Sequence, residues 1–393
     1  MKLTDKQEQA LKIAVERYRQ GERFTVISGY AGSGKSTVIR FIIQALGVDP
    51  EKDVAYAAFT GKAAKVLSQK GCPNSITAHK LLYKARPMPD GNYMFERKLD
   101  LGFKVVVIDE VSMLPKPMWD LLVAHKVYIL ACGDPGQLPP INPDDDNHVL
   151  DKPHIFLDEI MRQAQESEII RLSMHIREGK PLSTFACDNK QVMILGEHDV
   201  NAGLYEWADQ ILCATNRKRH EINQIVRKLR GFGTEPQTGD KIISLKNHWS
   251  DMSSLQHNPL TNGTIGVLRD YSKMSLDVPR YIHPSGQVPI LIANIDVEEK
   301  DYFPSMILDY TALATGEKLL SPKQEYNMNK NKSTPNAPYE FVYAYGITTH
   351  KAQGSEWDKV LVFEERFPFD REEHARWLYT AATRASEKLV LVR

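Results

Sequence analysis

The chain has 393 residues, 42% of them hydrophobic and 25% charged, which is the composition of an ordinary soluble globular protein. It carries 50 basic and 50 acidic side chains, so its net charge neither favours nor excludes a polyanionic partner. No apolar run is long enough to cross a membrane, and the N-terminus has no signal-peptide core. The four cysteines are scattered without a C-x-x-C pair, which predicts reduced thiols and a cytoplasmic protein.

A glycine-rich loop at residues 29–36, GYAGSGKS, fits the pattern G-x-x-x-x-G-K-[ST] and is called the P-loop below. The apolar run 24–27 before it predicts a strand, and residues 37–46 after it predict a buried helix. Its glycines let successive N–H groups point at phosphate oxygens, and the helix N-terminus adds partial positive charge. We therefore predict a nucleoside triphosphate site in which Lys35 reaches the β- and γ-phosphates and Ser36 ligates Mg²⁺. The residues expected to form this site are Gly29, Ala31, Gly32, Ser33, Gly34, Lys35, Ser36 and Thr37.

Two further polar segments each follow a short apolar run. Asp109 and Glu110 follow the run 105–108, which predicts a strand that delivers both carboxylates to the γ-phosphate. We predict that Asp109 holds the Mg²⁺ ion and that Glu110 acts on the attacking water. Gln137 follows the run 127–131 within GDPGQLPP at 133–140, and its amide is expected to sense the nucleotide and a second domain.

The order of the motifs resembles that of superfamily 1 helicases, specifically the RecD-like and Dda-like branch that moves 5′ to 3′. The resemblance extends over nearly the whole chain. It implies that Gln7, in LTDKQ at 3–7, reads the adenine edge. It also implies that Arg162 and Arg384, in LDEIMRQ at 157–163 and YTAATRA at 379–385, come from a second motor domain. Such an arginine stabilises charge on the transferring phosphoryl group and contributes ~10³–10⁵ in rate.

The segment TTHKAQGSE at 348–356 is the most specific match to this branch, and Gly354 and Glu356 within it are expected at the nucleotide. The resemblance also implies that the partner is single-stranded DNA. Hydroxyls and short donors suit contacts with phosphates and sugars. The candidates of this kind are Thr60, Lys62, His79, Thr349 and His350, although each histidine has a structural role as its alternative.

An Asp-Gly turn at residues 90–91 lies between short extended arms and predicts a hairpin. The related helicases carry a strand-separating pin at this place, so the resemblance implies a wedge formed by Met88, Tyr93 or Phe95. The alternative is a hairpin that only caps the first domain.

We predict an α/β fold of two RecA-like parallel-sheet domains of the P-loop NTPase type, each with an insertion. The first, 1A, covers residues 1–155, with a hairpin insertion 1B at about 83–100. The second, 2A, covers 156–245 and 338–393, with a small β-barrel insertion 2B at 246–337. Helical segments are expected around 159–178 and 216–230, and residues 326–338 are expected to be polar and mobile.

The predicted function is that of an ATP- and Mg²⁺-dependent DNA helicase that acts on single-stranded DNA and on duplexes with a 5′ single-stranded tail. Single-strand-binding or replisome proteins are possible partners. The chain is expected to be a monomer of phage or bacterial origin. Its pathway is left open among replication, recombination and repair. The alternative is a nucleic-acid-stimulated ATPase that displaces bound proteins with little strand separation. A transporter ATPase is disfavoured because the L-S-G-G-Q signature is absent from the sequence.

Overall fold

The computed structural model describes residues 3–87, 93–139, 146–161, 166–188, 190–246, 260, 262–297, 301–331, 333–365 and 370–393. The chain divides into two compact units. The first comprises Met1–Lys84, Arg97–Ala214 and Thr349–Arg393, and the second comprises Ala85–Glu96 and Thr215–Thr348. Among the helices of these described ranges, none combines the length and hydrophobicity needed to cross a bilayer.

The first sheet of the first unit is formed by six parallel strands. They are β1 (Phe24–Gly29), β2 (Val54–Ala58), β3 (Ser75–Thr77), β6 (Val105–Ile108), β7 (Tyr128–Gly133) and β8 (Ile155–Leu157), in the spatial order β3-β2-β6-β7-β1-β8. The accompanying helices are α1 (Asp5–Arg19), α2 (Lys35–Leu46), α3 (Gly61–Gln69), α4 (Ala78–Leu82) and α5 (Lys116–Ala124). Val105 and Val107 pack in one buried cluster with Ile42 of α2, whereas Val106 and Ile108 pack in the opposite cluster. Both faces of β6 are therefore buried, which explains its uninterrupted apolar sequence.

A second parallel sheet lies in the same unit. Its strands are β9 (Val192–Leu195), β10 (Gln210–Cys213), β17 (Trp357–Phe363) and β18 (Ala385–Val392), in the order β10-β17-β18-β9. The helices that belong to this part of the unit are α6 (Glu168–Arg177), α7 (Ala202–Trp207), α11 (Thr349–Ala352) and α12 (Arg371–Ala382). Each sheet has one fully buried thiol, Cys132 on β7 and Cys213 on β10.

The second unit is built around an antiparallel sheet. Its strands are β11 (Lys241–Ser244), β12 (Ile265–Asp277), β13 (Gln287–Val297), β14 (Asp301–Asp309) and β15 (Phe341–Tyr343), in the order β14-β13-β12-β11-β15. The unit also contains β16 (Gly346–Thr348), α8 (Asn216–Leu229), α9 (Tyr310–Thr315) and α10 (Pro322–Lys330). A buried ion pair lies beside the sheet, because Arg227 Nε and Nη2 donate to Asp240 Oδ1 and Oδ2 at 3.0 and 3.2 Å.

The predicted fold class is confirmed, since the mixed α/β chain contains two parallel sheets of the RecA-like kind. The arms of the predicted hairpin form a two-stranded sheet of β4 (Tyr83–Pro87) and β5 (Tyr93–Arg97), and its turn lies outside the described residues. The proposed domain boundaries remain a prediction.

The structure refines two local predictions. Within the helical segments expected around 159–178, the described helix is α6 at Glu168–Arg177, and residues 162–165 lie outside the described residues. Before them, Met161 N donates to Gly32 O of the P-loop at 3.0 Å. The segment 326–338, expected to be polar and mobile, begins inside α10. Ser321 N donates to Gln324 Oε1 at 2.8 Å there, and Pro322 occupies the first helical position, so local capping favours a helix.

Candidate active site

The P-loop connects β1 to α2 and requires glycine at its last turn. Gly34 caps α2 with a φ of 80°, and a Cβ at this position would lie 2.6 Å from Gln7 Nε2. The left-handed backbone therefore favours glycine, and any other side chain would also have to displace the amide of Gln7. The next residue, Lys35, folds over the loop and donates from Nζ to Gly29 O at 2.6 Å and to Tyr30 O at 3.0 Å.

The donor set of this loop fits the phosphates of a nucleoside triphosphate. The ammonium of Lys35 lies beside a run of backbone N–H groups at the start of a helix, which is an anion-binding arrangement. Ser33 Oγ is buried and has no hydrogen-bond partner within the described part of the chain. A buried hydroxyl without a partner is costly, and a phosphate oxygen beside the loop would satisfy it.

Gln7 lies against the P-loop from α1. Its buried amide nitrogen donates to Ser33 O at 3.2 Å, and its oxygen accepts from Thr4 N at 3.1 Å. In this structure the side chain therefore supports the loop and caps α1. Its expected contact with adenine remains a prediction.

The predicted acidic pair lies where β6 ends. Asp109 N donates to Ala57 O of the neighbouring strand at 3.0 Å, which extends the parallel pairing up to the first carboxylate. Glu110 follows with a φ of 52°, and its N–H donates to Asp109 Oδ1 at 3.1 Å. Burial raises the pKa of Glu110, and Arg384 opposes this shift by stabilising the carboxylate. A carboxyl group with a raised pKa is suited to accept a proton from water.

Gln137 joins this carboxylate to the second sheet. In the amide orientation that satisfies both neighbours, its nitrogen donates to Glu110 Oε2 at 3.0 Å and its oxygen accepts from Arg384 Nη2 at 3.2 Å. The amide therefore lies between the two charged groups, one after β6 and the other after α12. The expected response of Gln137 to the nucleotide remains a prediction.

Arg384 is held by hydrogen bonds although it lies beyond the end of α12. Its Nε donates to Thr380 O at 3.1 Å, and its Nη1 donates to Ser355 O at 3.2 Å. Only 5% of the residue is exposed. The guanidinium is therefore pre-positioned toward Gln137 and Glu110, at little further cost in side-chain entropy.

Two site residues were missed by sequence reasoning, although both lie inside the motifs. Tyr379 on α12 accepts from Ala31 N of the P-loop at 2.9 Å and donates to Asp134 Oδ2 at 2.7 Å. The available signal was a phenol and a carboxylate close in sequence to Arg384 and Gln137. The contact itself depends on how the two sheets pack.

Arg162 lies outside the described residues. A different arginine on the same part of the chain contacts the P-loop, because the guanidinium of Arg177 on α6 lies 3.6 Å from the centre of the Tyr30 ring. Its Nη1 is buried and has no hydrogen-bond partner within the described residues. No sequence motif pointed to this residue.

The segment that includes Gly354 contacts α3. Gly354 has a φ of 71°, and a Cβ there would lie 2.8 Å from Ala63 Cβ. Thr60 caps α3 by accepting from Ala63 N at 3.2 Å, and Lys62 Nζ lies 4.0 Å from the centre of the Trp357 ring. Glu356 forms an exposed ion pair with Lys70 at 3.4 Å, and its expected place at the nucleotide remains a prediction.

The remaining DNA candidates have protein contacts of their own. His79 packs against Phe59 with ring centres 5.6 Å apart, and burial lowers the pKa of both His79 and His350. Thr349 is buried, and its hydroxyl donates to Cys213 O at 3.3 Å. Their DNA contacts remain predictions.

Of the pin candidates, Phe95 on β5 is 39% exposed. Met88 and the side chain of Tyr93 lie outside the described residues, so the pin also remains a prediction.

A P-loop after β1, an acidic pair after β6 and an arginine supplied beside a second parallel sheet define a P-loop NTPase with two RecA-like sheets. Residues 2–199 match the family model described as "AAA domain", and residues 343–392 match the "UvrD-like helicase C-terminal domain". The chain belongs to the Pif1/RecD/Dda-like branch of superfamily 1 helicases, which confirms the resemblance seen in the sequence.

Known proteins support this assignment at low identity. The ATP-dependent DNA helicase dda of Enterobacteria phage T4 is 28% identical over 254 residues, covering 58% of this chain and 57% of that protein. The ATP-dependent RecD2 DNA helicase of Deinococcus radiodurans is 25% identical over 388 residues, covering 94% and 46%. The chain thus spans about half the length of the curated relatives it matches.

A solved structure of the Pif1 helicase from Bacteroides, in complex with ADP-AlF3 and single-stranded DNA, has the same fold. The TM-score is 0.54 at 18% identity, covering 100% of this chain and 92% of that one.

Proposed function

We propose that the chain hydrolyses ATP and uses the energy to move 5′ to 3′ along single-stranded DNA and to unwind duplex DNA. The observation that carries the proposal is the amide of Gln137, which lies between Glu110 and Arg384. A water-activating carboxylate and a charge-stabilising guanidinium are the two groups that phosphoryl transfer to water requires. Because they belong to different sheets, hydrolysis depends on how these sheets are arranged.

The residues of the P-loop bind and orient the triphosphate in this proposal. Lys35 neutralises charge on the β- and γ-phosphates, and Ser36 with Asp109 would hold Mg²⁺. When bound, that ion would neutralise charge that develops between the same phosphates. The buried hydroxyl of Ser33 supplies a further donor at the loop.

The protein's own proton transfer centres on Glu110. Burial raises the pKa of its carboxylate, which makes it a better base toward the attacking water. Arg384 faces the same position and stabilises the negative charge on the transferring group. Gln137 hydrogen-bonds to both side chains and so links the acceptor of the proton to the stabiliser of the charge.

The DNA substrate is proposed from the named relatives, which are called DNA helicases. The 5′-to-3′ direction is proposed from the membership of the RecD-like and Dda-like branch. Lys62 is the most direct candidate for a phosphate contact, and Phe95 is the described candidate for the strand-separating wedge. A monomer, and single-strand-binding or replisome proteins as partners, remain part of the proposal.

Two partial duplexes test the proposal, one with a 5′ single-stranded tail and one with a 3′ tail, each incubated with the protein, ATP and Mg²⁺. We expect separation of only the 5′-tailed duplex, and none with Lys35→Ala. Separation of only the 3′-tailed duplex would overturn the direction. Absence of DNA-stimulated ATP hydrolysis would overturn the function.

DNA-stimulated hydrolysis without strand separation would favour the alternative, a translocase that displaces bound proteins. Deletion of residues 87–96 addresses the same question. Loss of unwinding with retained ATP hydrolysis would support the pin, and unchanged unwinding would remove that role.

A further inference from the structure

The hydroxyl of Tyr379 connects two loops of the nucleotide site. It accepts the N–H of Ala31 in the P-loop at 2.9 Å and donates to Asp134 Oδ2 at 2.7 Å. Tyr379 lies on α12 and is almost fully buried, so water does not compete for these bonds. One side chain beside the second sheet therefore binds both the P-loop and the turn after β7.

The turn that receives this hydroxyl is itself fixed. Gly136 N donates to Asp134 Oδ1 at 2.9 Å, and a Cβ on Gly136 would lie 3.1 Å from the Tyr379 ring. At the other end of the turn, Leu138 N donates to Thr380 Oγ1 at 2.9 Å. Two adjacent residues of α12 thus hold both ends of the segment that contains Gln137.

The N–H of Ala31, which donates to Tyr379, is also expected to donate to a nucleotide phosphate. A backbone N–H has one hydrogen, and the N–H groups of a P-loop are donors to phosphate oxygens. A strong bond from Ala31 to Tyr379 and a strong bond from Ala31 to a phosphate are mutually exclusive. Burial beside Asp134 raises the pKa of Tyr379 well above its ordinary value, so the hydroxyl remains neutral and keeps both bonds at physiological pH.

We propose that the hydroxyl of Tyr379 competes with a nucleotide phosphate oxygen for the N–H of Ala31, so that nucleotide binding breaks the hydrogen bond between Ala31 and Tyr379. This bond is called the latch below. The proposal rests on the proposed function, because it takes the P-loop to be the nucleotide site. Loss of this bond frees the P-loop from Tyr379, whereas the hydrogen bond from Tyr379 to Asp134 remains. The hydroxyl of Tyr379 on α12 thereby links nucleotide binding to the turn that contains Gln137.

The variant Tyr379→Phe tests the latch because it keeps the ring and deletes the hydroxyl. We expect the Kd for a fluorescent, non-hydrolysable ATP analogue to fall by about three- to ten-fold, the net worth of one competing hydrogen bond. An unchanged or higher Kd would overturn the proposal. If this variant does not fold, Asp134→Asn weakens the acceptor of the same hydroxyl, and we expect a smaller decrease in Kd; an unchanged or higher Kd for this variant would likewise overturn the proposal.

Tyr128→Phe is the matched control. Its buried hydroxyl donates to Ala14 O at 2.8 Å and shares a hydrogen bond with Thr25 Oγ1 at 2.6 Å in the same unit. We expect a loss of thermal stability with no change in Kd. An equal decrease in Kd for both variants would assign the effect to general loosening and overturn the latch.

Lys35→Ala separates the two levels of the proposal. If Lys35→Ala binds the ATP analogue as tightly as the wild-type chain does, the P-loop is not the nucleotide site. Lys35-dependent binding that Tyr379→Phe does not strengthen would overturn the latch alone.

Discussion

The ammonium of Lys62 lies 4.0 Å from the centre of the Trp357 ring, although one residue belongs to α3 and the other begins β17. A cation over an indole face is attracted by the ring quadrupole, which restricts where the ammonium lies. The contact therefore positions a proposed phosphate ligand and ties α3 to the strand that follows the segment 348–356.

Lys62→Gln is expected to reduce the salt dependence of single-stranded DNA binding. The plot of log K against log salt has a negative slope, and loss of one phosphate contact makes it shallower by about 0.7. Trp357→Leu keeps the charge, so we expect weaker binding with the same slope. Titrations at several salt concentrations measure both, and an unchanged slope for Lys62→Gln would remove this lysine from the DNA interface.

Arg384→Lys is expected to retain nucleotide binding and to lose most hydrolysis. A lysine keeps the charge but cannot bond to Thr380 O, Ser355 O and Gln137 together, so the positive group leaves its fixed position. We expect kcat to fall by about 10³-fold or more. Equilibrium binding and steady-state turnover measure the two effects, and a near-normal kcat would contradict a direct role in catalysis.

The pH dependence of hydrolysis is expected to report on Glu110. A general base acts when deprotonated, and burial raises the pKa of this carboxyl group above 4.5. Activity is therefore lost as the pH falls through this raised pKa. The loss occurs at a higher pH than it would for a base with the ordinary pKa of a carboxyl group. Glu110→Gln should bind nucleotide but lack the acid limb along with most of the activity. An acid limb at or below pH 4.5 in the wild-type chain would argue against the buried base.

Glu168 is expected to contribute stability that disappears in acid. Burial alone would raise its pKa, but the N–H groups of Gln191, Val192 and Asp188 donate to its carboxylate and lower the pKa to about 2. Because the folded pKa lies below the ordinary 4.5, the contribution is complete above that pH and is lost as the pH falls toward 2.

Glu168→Gln lacks this contribution. We expect it to lower the free energy of unfolding by about 2–3 kcal/mol near neutral pH, with the difference from wild type shrinking in acid. Denaturant titrations at neutral and acid pH measure the difference. A constant difference across that range would show that the charge is not responsible.

Asp240→Asn is expected to destabilise the second unit strongly. It leaves the guanidinium of Arg227 buried without its carboxylate partner, and such a change costs about 3–5 kcal/mol. Glu235→Gln is the matched control, because Glu235 pairs with Lys273 at an exposed position and its loss costs below about 1 kcal/mol. Unfolding measurements that gave equal losses would contradict the role assigned to burial.

The sequence allowed the P-loop and the acidic pair to be predicted because their geometry is local. Lys35 and Glu110 each follow a strand by a few residues, so the element before them sets where they lie. The polar segment after β7 supplied Gln137 as a candidate, and the family resemblance supplied Arg384. Their bond to each other depends on the packing of two sheets and could only be seen in the structure.

Other features could not be predicted for the same reason. Tyr379 and Arg177 reach the P-loop from elements distant in the chain, and no local pattern records such contacts. The bond from Met161 N to Gly32 O of the P-loop is another tertiary contact of this kind. The helix α10 is different, because its start depends on local residues: Ser321 and Gln324 form a capping box, and Pro322 occupies the first helical position.

The two buried cysteines give the molecule a natural pair of unfolding probes. Cys132 and Cys213 have no exposed surface, and burial raises the pKa of Cys132, so a thiol reagent in solvent meets neither reactive group in the folded chain. Since one thiol lies in each parallel sheet, the rate at which each becomes modified reports the opening of its own sheet. Pulsed labelling with mass spectrometry could therefore follow the two halves of the first unit separately, without introducing any label by mutation.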